Sequence, residues 1–99
     1  MDAATQKKLL GLLGLGVRGR LVVVGVERVR AAALGGTLVY AVVAPDAAKN
    51  SLDKVVPLLL AKRINFIEGP SAQDLGAAVG RESTAAVGVV DYPLANGLR

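Results

Sequence analysis

Ninety-nine residues, 53% of them hydrophobic and none of them Cys or His, exclude disulfides, thiolate chemistry and metal sites built on imidazole or sulfur. The length predicts one domain, residues 1–99, with a single core. The net charge of +4 lies wholly in residues 1–30, where Lys7, Lys8, Arg18, Arg20, Arg28 and Arg30 face only Asp2 and Glu27. Such a distribution fits either a localised polyanion-binding face or a basic solvated surface.

In chain order, Asp2 is placed to cap a helix whose Leu9, Leu12 and Leu13 form one apolar stripe. Gly11 and Gly14 inside it each cost about 1 kcal/mol relative to Ala, which implies a close backbone approach there. The uncharged run Leu9–Val17 is nine residues long, and a membrane span needs about 18. Lys7 and Lys8 before a Leu-rich run imitate a signal peptide. Arg18 and Arg20, however, close that run where a small-residue cleavage site would stand, so the chain is expected in the cytoplasm with no membrane partner.

Leu21–Val24 reads as a short buried strand. Val26, Val29 and Ala33 then share a helical face that Gly35-Gly36 stops. The uncharged run 37–44 predicts a central strand covered on both faces, closed by Pro45. Leu52, Val55, Val56, Leu59 and Leu60 give an amphipathic helix, with Pro57 at its margin as a source of kink or curvature. Asn65–Glu68 is a further short strand and Gly69-Pro70 a turn. Ser71 to Asp74 has the form of a capping box before Leu75, Ala78 and Val79, with Gly80 as the stop. Thr84–Val90 is the last strand, Asp91 a cap, and Pro93–Leu98 a terminal helix. Alternating helices and strands place helices on both faces of a small, partly parallel sheet. The fold class is α/β.

Chemistry-bearing motifs are few. Gly14-Leu15-Gly16-Val17-Arg18-Gly19 matches the dinucleotide fingerprint in letters, but it follows a helix and precedes a strand, the reverse of what pyrophosphate binding needs. Ser51, Ser71 and Ser83 have no His to act as base. Asp46 and Asp91, both at strand ends, read more simply as cap or turn residues than as an acid/base couple. No enzyme activity, cofactor or metal is therefore expected. Tyr40, Phe66 and Tyr92 are too isolated to make a stacking platform.

Four strings in order resemble bacterial members of the ribosomal protein L7Ae family, over about residues 9–98. Leu12 to Val22 is similar to the family's opening helix-to-strand turn, and Gly25-Val26-Glu27-Arg28-Val29-Arg30 to the start of its RNA-reading helix. Ala44-Pro45-Asp46-Ala47-Ala48-Lys49-Asn50-Ser51 resembles its acidic loop, and Asp74 to Glu82 its Leu-Gly-x-x-x-Gly helix end. The resemblance implies a three-layer α/β/α sandwich with a four-stranded mixed sheet. It also implies an RNA-binding protein that takes kink-turns or similar structured RNA, in or near the ribosome. The implied site combines Arg18, Arg20, Gly25, Val26, Glu27, Arg28 and Arg30 with Asp46, Lys49, Ser83, Thr84 and Ala85. Archaeal and eukaryotic relatives read sheared G·A pairs with Asn-Glu. In register those two positions are Glu27 and Arg28, a later lysine is Ala31, and an acid before Asp46 is Pro45. The alternative is a protein-interaction module that kept the fold and lost kink-turn recognition.

Overall fold

Three side chains start helices where expected. In the computed structural model, which describes residues 1–98, Asp2 accepts the Thr5 N–H at 2.7 Å, Ser71 accepts that of Asp74 at 3.1 Å and Asp91 that of Leu94 at 2.9 Å. The Thr5 N–H holds the Asp2 carboxyl below its ordinary range. That contribution to the first turn is present above the unfolded value and fades as pH falls through the lowered one.

The elements are α1 (Ala3–Arg18), β1 (Val22–Val24), α2 (Val26–Gly35), β2 (Tyr40–Val43), α3 (Lys49–Ala61), β3 (Phe66–Glu68), α4 (Ala72–Ala78), β4 (Ala86–Val89) and α5 (Tyr92–Leu98). The sheet order is β1-β4-β2-β3. β4 runs antiparallel to both β1 and β2, and β2 parallel to β3. Side chains of β2 alternate between two cores. Tyr40, Val42 and Ala44 meet Leu9, Leu13, Leu75 and Ala95 on one face, while Ala41 and Val43 meet Val29, Ala33, Val55 and Leu59 on the other. Helices α1, α4 and α5 thus form one layer and α2 and α3 the other. The result is the expected α/β/α sandwich.

Both long strands are shorter than the hydropathy suggests. The N–H groups of Thr37 and Leu38 donate back to the Ala32 carbonyl, closing α2, so β2 begins only at Tyr40. Thr84 turns its hydroxyl onto the Ala86 carbonyl (3.1 Å) and stays outside β4. Leu60 is another correction: it is 64% exposed, because residues 52, 55, 56 and 59 fill the buried arc of α3 and Leu60 turns past its edge. The helix runs through Pro57 to Ala61 as one element.

One turn is built four times. Helices α1 to α4 each end with a residue at positive φ, and those residues are Arg20 (59°), Gly36 (81°), Arg63 (57°) and Gly80 (79°). In α1 the Arg20 and Leu21 N–H groups return to the carbonyls of Val17 and Gly16. In α3 those of Arg63 and Ile64 return to Leu60 and Leu59. This paired return satisfies carbonyls that a helix end would otherwise leave unbonded.

The glycines of α1 divide by role. A Cβ on Gly14 would stand 3.1 Å from the Ala78 carbonyl oxygen, and one on Gly16 2.7 Å from Leu94 Cδ2 and 2.9 Å from Val22 Cγ1. Both let neighbours approach. Gly11 does not, since a Cβ there meets nothing within 4 Å, against the expectation of a close approach. Gly11→Ala is accordingly expected to stabilise the fold by about 1 kcal/mol and raise the melting temperature by about 4–8 °C. An unchanged or lower Tm in thermal unfolding would show that Gly11 is needed.

Candidate nucleic-acid interface

Because β1, β2 and β3 point the same way, their C-terminal ends meet the start of β4 at one end of the sheet. The Gly25 N–H donates to the Ala86 carbonyl at 3.0 Å, and the Ala44 N–H to that of Ala85 at 2.8 Å. The Gly69 N–H reaches the Val43 carbonyl at 2.8 Å, and the Thr84 N–H that of Ala72 at 3.0 Å. Three segments from separate parts of the sequence are therefore stitched together. They are Gly25 with the start of α2 (25–30) and the loops 45–49 and 83–85.

Gly25 has φ +98°, a conformation that side chains resist, and a Cβ there would point into open space. No side chain caps the start of α2, so its first N–H groups and the positive end of its dipole are open to an anion. Val26 is half-buried in the α2/α3 core, while Glu27 and Arg28 are exposed. Glu27 stands 3.9 Å from Lys54 Nζ across to α3. Arg30 Nη1 donates to the Lys54 carbonyl, so it ties α2 to α3.

Asp46 belongs structurally to α4 as much as to its own loop. Its Oδ1 accepts the Ala72 N–H at 2.8 Å, beside the Ser71 cap, so two of the unpaired N–H donors of that helix start are satisfied. Asp46→Ala is expected to cost about 1 kcal/mol, with Asp46→Asn retaining most of that through its amide oxygen. Chemical denaturation of the three proteins decides this, and equal destabilisation in both variants would mean that charge rather than the bond matters. Lys49 is exposed and paired with Asp53 at 3.0 Å within α3. Ser83 is exposed and Ala85 half-buried. Thr84 is buried with its hydroxyl committed to Ala86, so it shapes the loop and offers no polar group outward.

Arg18 and Arg20 do not join these residues. The Val90 N–H donates to the Leu21 carbonyl, which puts the α1–β1 turn beside the end of β4, whereas Gly25 lies beside its start. The three-residue β1 separates them by about 10 Å of strand. The basic first third is therefore not one face. Gly76 stands out in the sequence only as part of a motif. Its role is that Ser83 Cα would stand 2.4 Å from a Cβ there, so helix α4 and the 83–85 loop touch through backbone alone.

Two packed helix layers around a mixed sheet, with one loop-built end, define a small three-layer α/β/α module. The model of the ribosomal protein L7Ae/L30e/S12e/Gadd45 family matches residues 7–96, and the chain belongs to that family. A protein of unknown function from Bacillus halodurans C has a similar structure, with TM-score 0.84, 28% identity, and 92% of each chain covered. The Giardia lamblia 15.5kD RNA binding protein superposes with TM-score 0.80 at 20% identity, over 99% of this chain and 84% of that one. No curated protein matches the chain. Among the described residues, no cluster of His, Cys, Asp or Glu could hold a metal ion, and no helix is long and apolar enough to cross a membrane.

Proposed function

We propose that the protein binds structured RNA through the loop end of its sheet, with kink-turns as the preferred class and rRNA-like elements as the natural setting. The carrying observation is the convergence of the open α2 start at Gly25 with the 45–49 and 83–85 loops. A phosphate fits the α2 N-terminus. Arg28 stands one turn on to neutralise a neighbouring phosphate, and the small apolar Ala85 leaves room for an unstacked base. Family membership supports the same reading, as does the likeness to an RNA binding protein from Giardia lamblia. No enzyme activity and no cofactor form part of this proposal, and its cellular setting is the cytoplasm.

The test is a titration of a labelled kink-turn and a matched straight duplex at several salt concentrations. Arg28→Ala should weaken binding to both, and lower the slope of log affinity against log salt by roughly 0.7 to 0.9 for each phosphate that is no longer neutralised. Arg20→Ala, at the other end of the sheet, should leave that slope unchanged. An equal drop in slope for both variants would move the footprint off the three segments.

A further inference from the structure

Strand β3 lies at one edge of the sheet, outside β2 and with no further strand beside it. The Ala41 N–H donates to the Asn65 carbonyl, and the Gly69 N–H to that of Val43. Phe66 stands beside Ala41 and Glu68 beside Val43 in this parallel ladder. Ile67 therefore makes the bonds between those two, and the N–H and C=O groups of Phe66 and Glu68 point away from the sheet. The edge thus presents donors and acceptors at every second residue, the template for one more strand.

A cavity opens on each face of this edge. Ile67 faces the α1/α4/α5 layer and lines a cavity of about 190 Å³ with Thr5, Lys8, Leu9, Leu12 and Leu98. Phe66 faces the α2/α3 layer and lines one of about 290 Å³ with Leu59, Leu60, Arg63, Ile64 and Asn65. The cavities lie on opposite helix layers, yet adjacent residues of a single strand join them. Two of the large exposed hydrophobics, Met1 and Leu60, line one cavity each. Phe66 and Ile67 are only half-buried, whereas their register partners Ala41 and Val42 are fully buried.

We propose that β3 takes up an extended segment of a second protein as a fifth strand, with one side chain entering each cavity. Successive side chains of a strand point to opposite faces. Two neighbouring apolar residues of the incoming segment therefore fill the two cavities, while main-chain bonds to Phe66 and Glu68 hold it in register. Residues 1–12 and 59–69, which supply most of the walls, carry Lys7, Lys8, Lys62 and Arg63 against Asp2 and Glu68. Asp2 is taken up in capping α1. That balance selects a segment with carboxylates next to its apolar pair. Nucleic acid would meet the cations but has no apolar side chain for either cavity. A second copy of this chain would bring its own Phe66 and Ile67, which already pack in its own cores, and leave both cavities empty. The proposal does not depend on RNA binding at the loop end.

The test selects short random peptides on the full chain and maps the strongest by hydrogen exchange on isotopically labelled protein. The selected sequences should share two adjacent apolar positions flanked by Asp or Glu. Bound peptide should protect the amides of Phe66 and Glu68, and change that of Ile67 little because it already pairs with β2. Lys8→Glu and Leu60→Glu, exposed residues on opposite layers, should each weaken the same peptide by about tenfold or more. Glu68→Pro removes one outward N–H and no bond to β2, and should weaken it by about fivefold or more, whereas Glu68→Ala should not weaken it. Arg20→Glu, beside the far edge of the sheet, should change nothing. The absence of any selected peptide that binds below millimolar concentration would overturn the proposal. So would protection that appears elsewhere, or Lys8→Glu and Leu60→Glu acting on different peptides. Protection of Phe66 and Glu68 that rises with protein concentration alone would assign the edge to a second copy, and protection by a straight RNA duplex would assign it to nucleic acid; either result refutes it.

Discussion

Gly76→Ala is expected to destabilise the domain by about 1–3 kcal/mol, the range found when a packed interior is asked to hold an extra methyl. A Cβ at this position would lie 2.4, 2.7 and 2.8 Å from the Cα, N and C atoms of Ser83. Those are backbone atoms, so no rotamer change relieves the overlap. Either α4 or the 83–85 loop has to move. The loop is tied to Ala72 through Thr84 and to Ala44 through Ala85, so its displacement reaches the 45–49 loop as well. For a domain of this size each kcal/mol lowers Tm by about 4–8 °C. RNA affinity measured well below the transition should fall too, since the loop moves even in the folded protein. An unchanged Tm would mean that α4 and the loop do not meet through their backbones.

The second large effect concerns specificity. On the register that the family resemblance implies, Glu27→Asn combined with Arg28→Glu installs the Asn-Glu pair of archaeal and eukaryotic relatives, on a helix start that already has Gly25. Both side chains are exposed, and the Glu27–Lys54 pair at 3.9 Å is a surface interaction worth little. The exchange therefore tests recognition and leaves the fold in place. Asn donates and accepts where Glu only accepts. We expect the ratio of kink-turn to straight-duplex affinity to rise, by about 1–3 kcal/mol for each bidentate base interaction restored. Affinity for plain duplex should fall with the removal of the Arg28 cation. Parallel titrations at one salt concentration measure both. A wild-type preference for the kink-turn that disappears in the double variant would show that Arg28 itself reads the bend.

Local features carried over well from sequence to structure, because each is decided within a few residues. Asp2, Ser71 and Asp91 cap helices through bonds to the third residue on, and Gly36 stops α2 by adopting the left-handed conformation beside Gly35. The two-sided burial of β2 followed from its lack of charge. Long-range order did not carry over. Nothing in the periodicity of 84–90 says that this strand inserts between β1 and β2, yet that insertion brings Ala85 and Ala86 to Ala44 and Gly25. Charge misled for a related reason. Arg20 and Arg28 are eight positions apart in the chain but on opposite ends of a strand. Arg30 reads as a free cation in the sequence, whereas its guanidinium is held by a carbonyl of α3. Helical faces drawn from spacing alone also admit one residue too many, as Leu60 shows.

The position of β4 has a consequence for how the polypeptide acquires its shape. β1 and β2 touch only through β4, which ends at Val89. A nascent chain emerging residue by residue can form the β2–β3 pair early, but β1 has no neighbour until the late strand arrives. Pairings of such wide sequence separation slow the assembly step and make it all-or-none. Residues 1–85 by themselves would hold an isolated two-stranded ribbon with helices attached, and the loop end would have no floor. Ribosome-bound chains halted before Ala86 should consequently be protease-sensitive throughout, and those extended past Val89 and clear of the exit tunnel should become resistant in a single step.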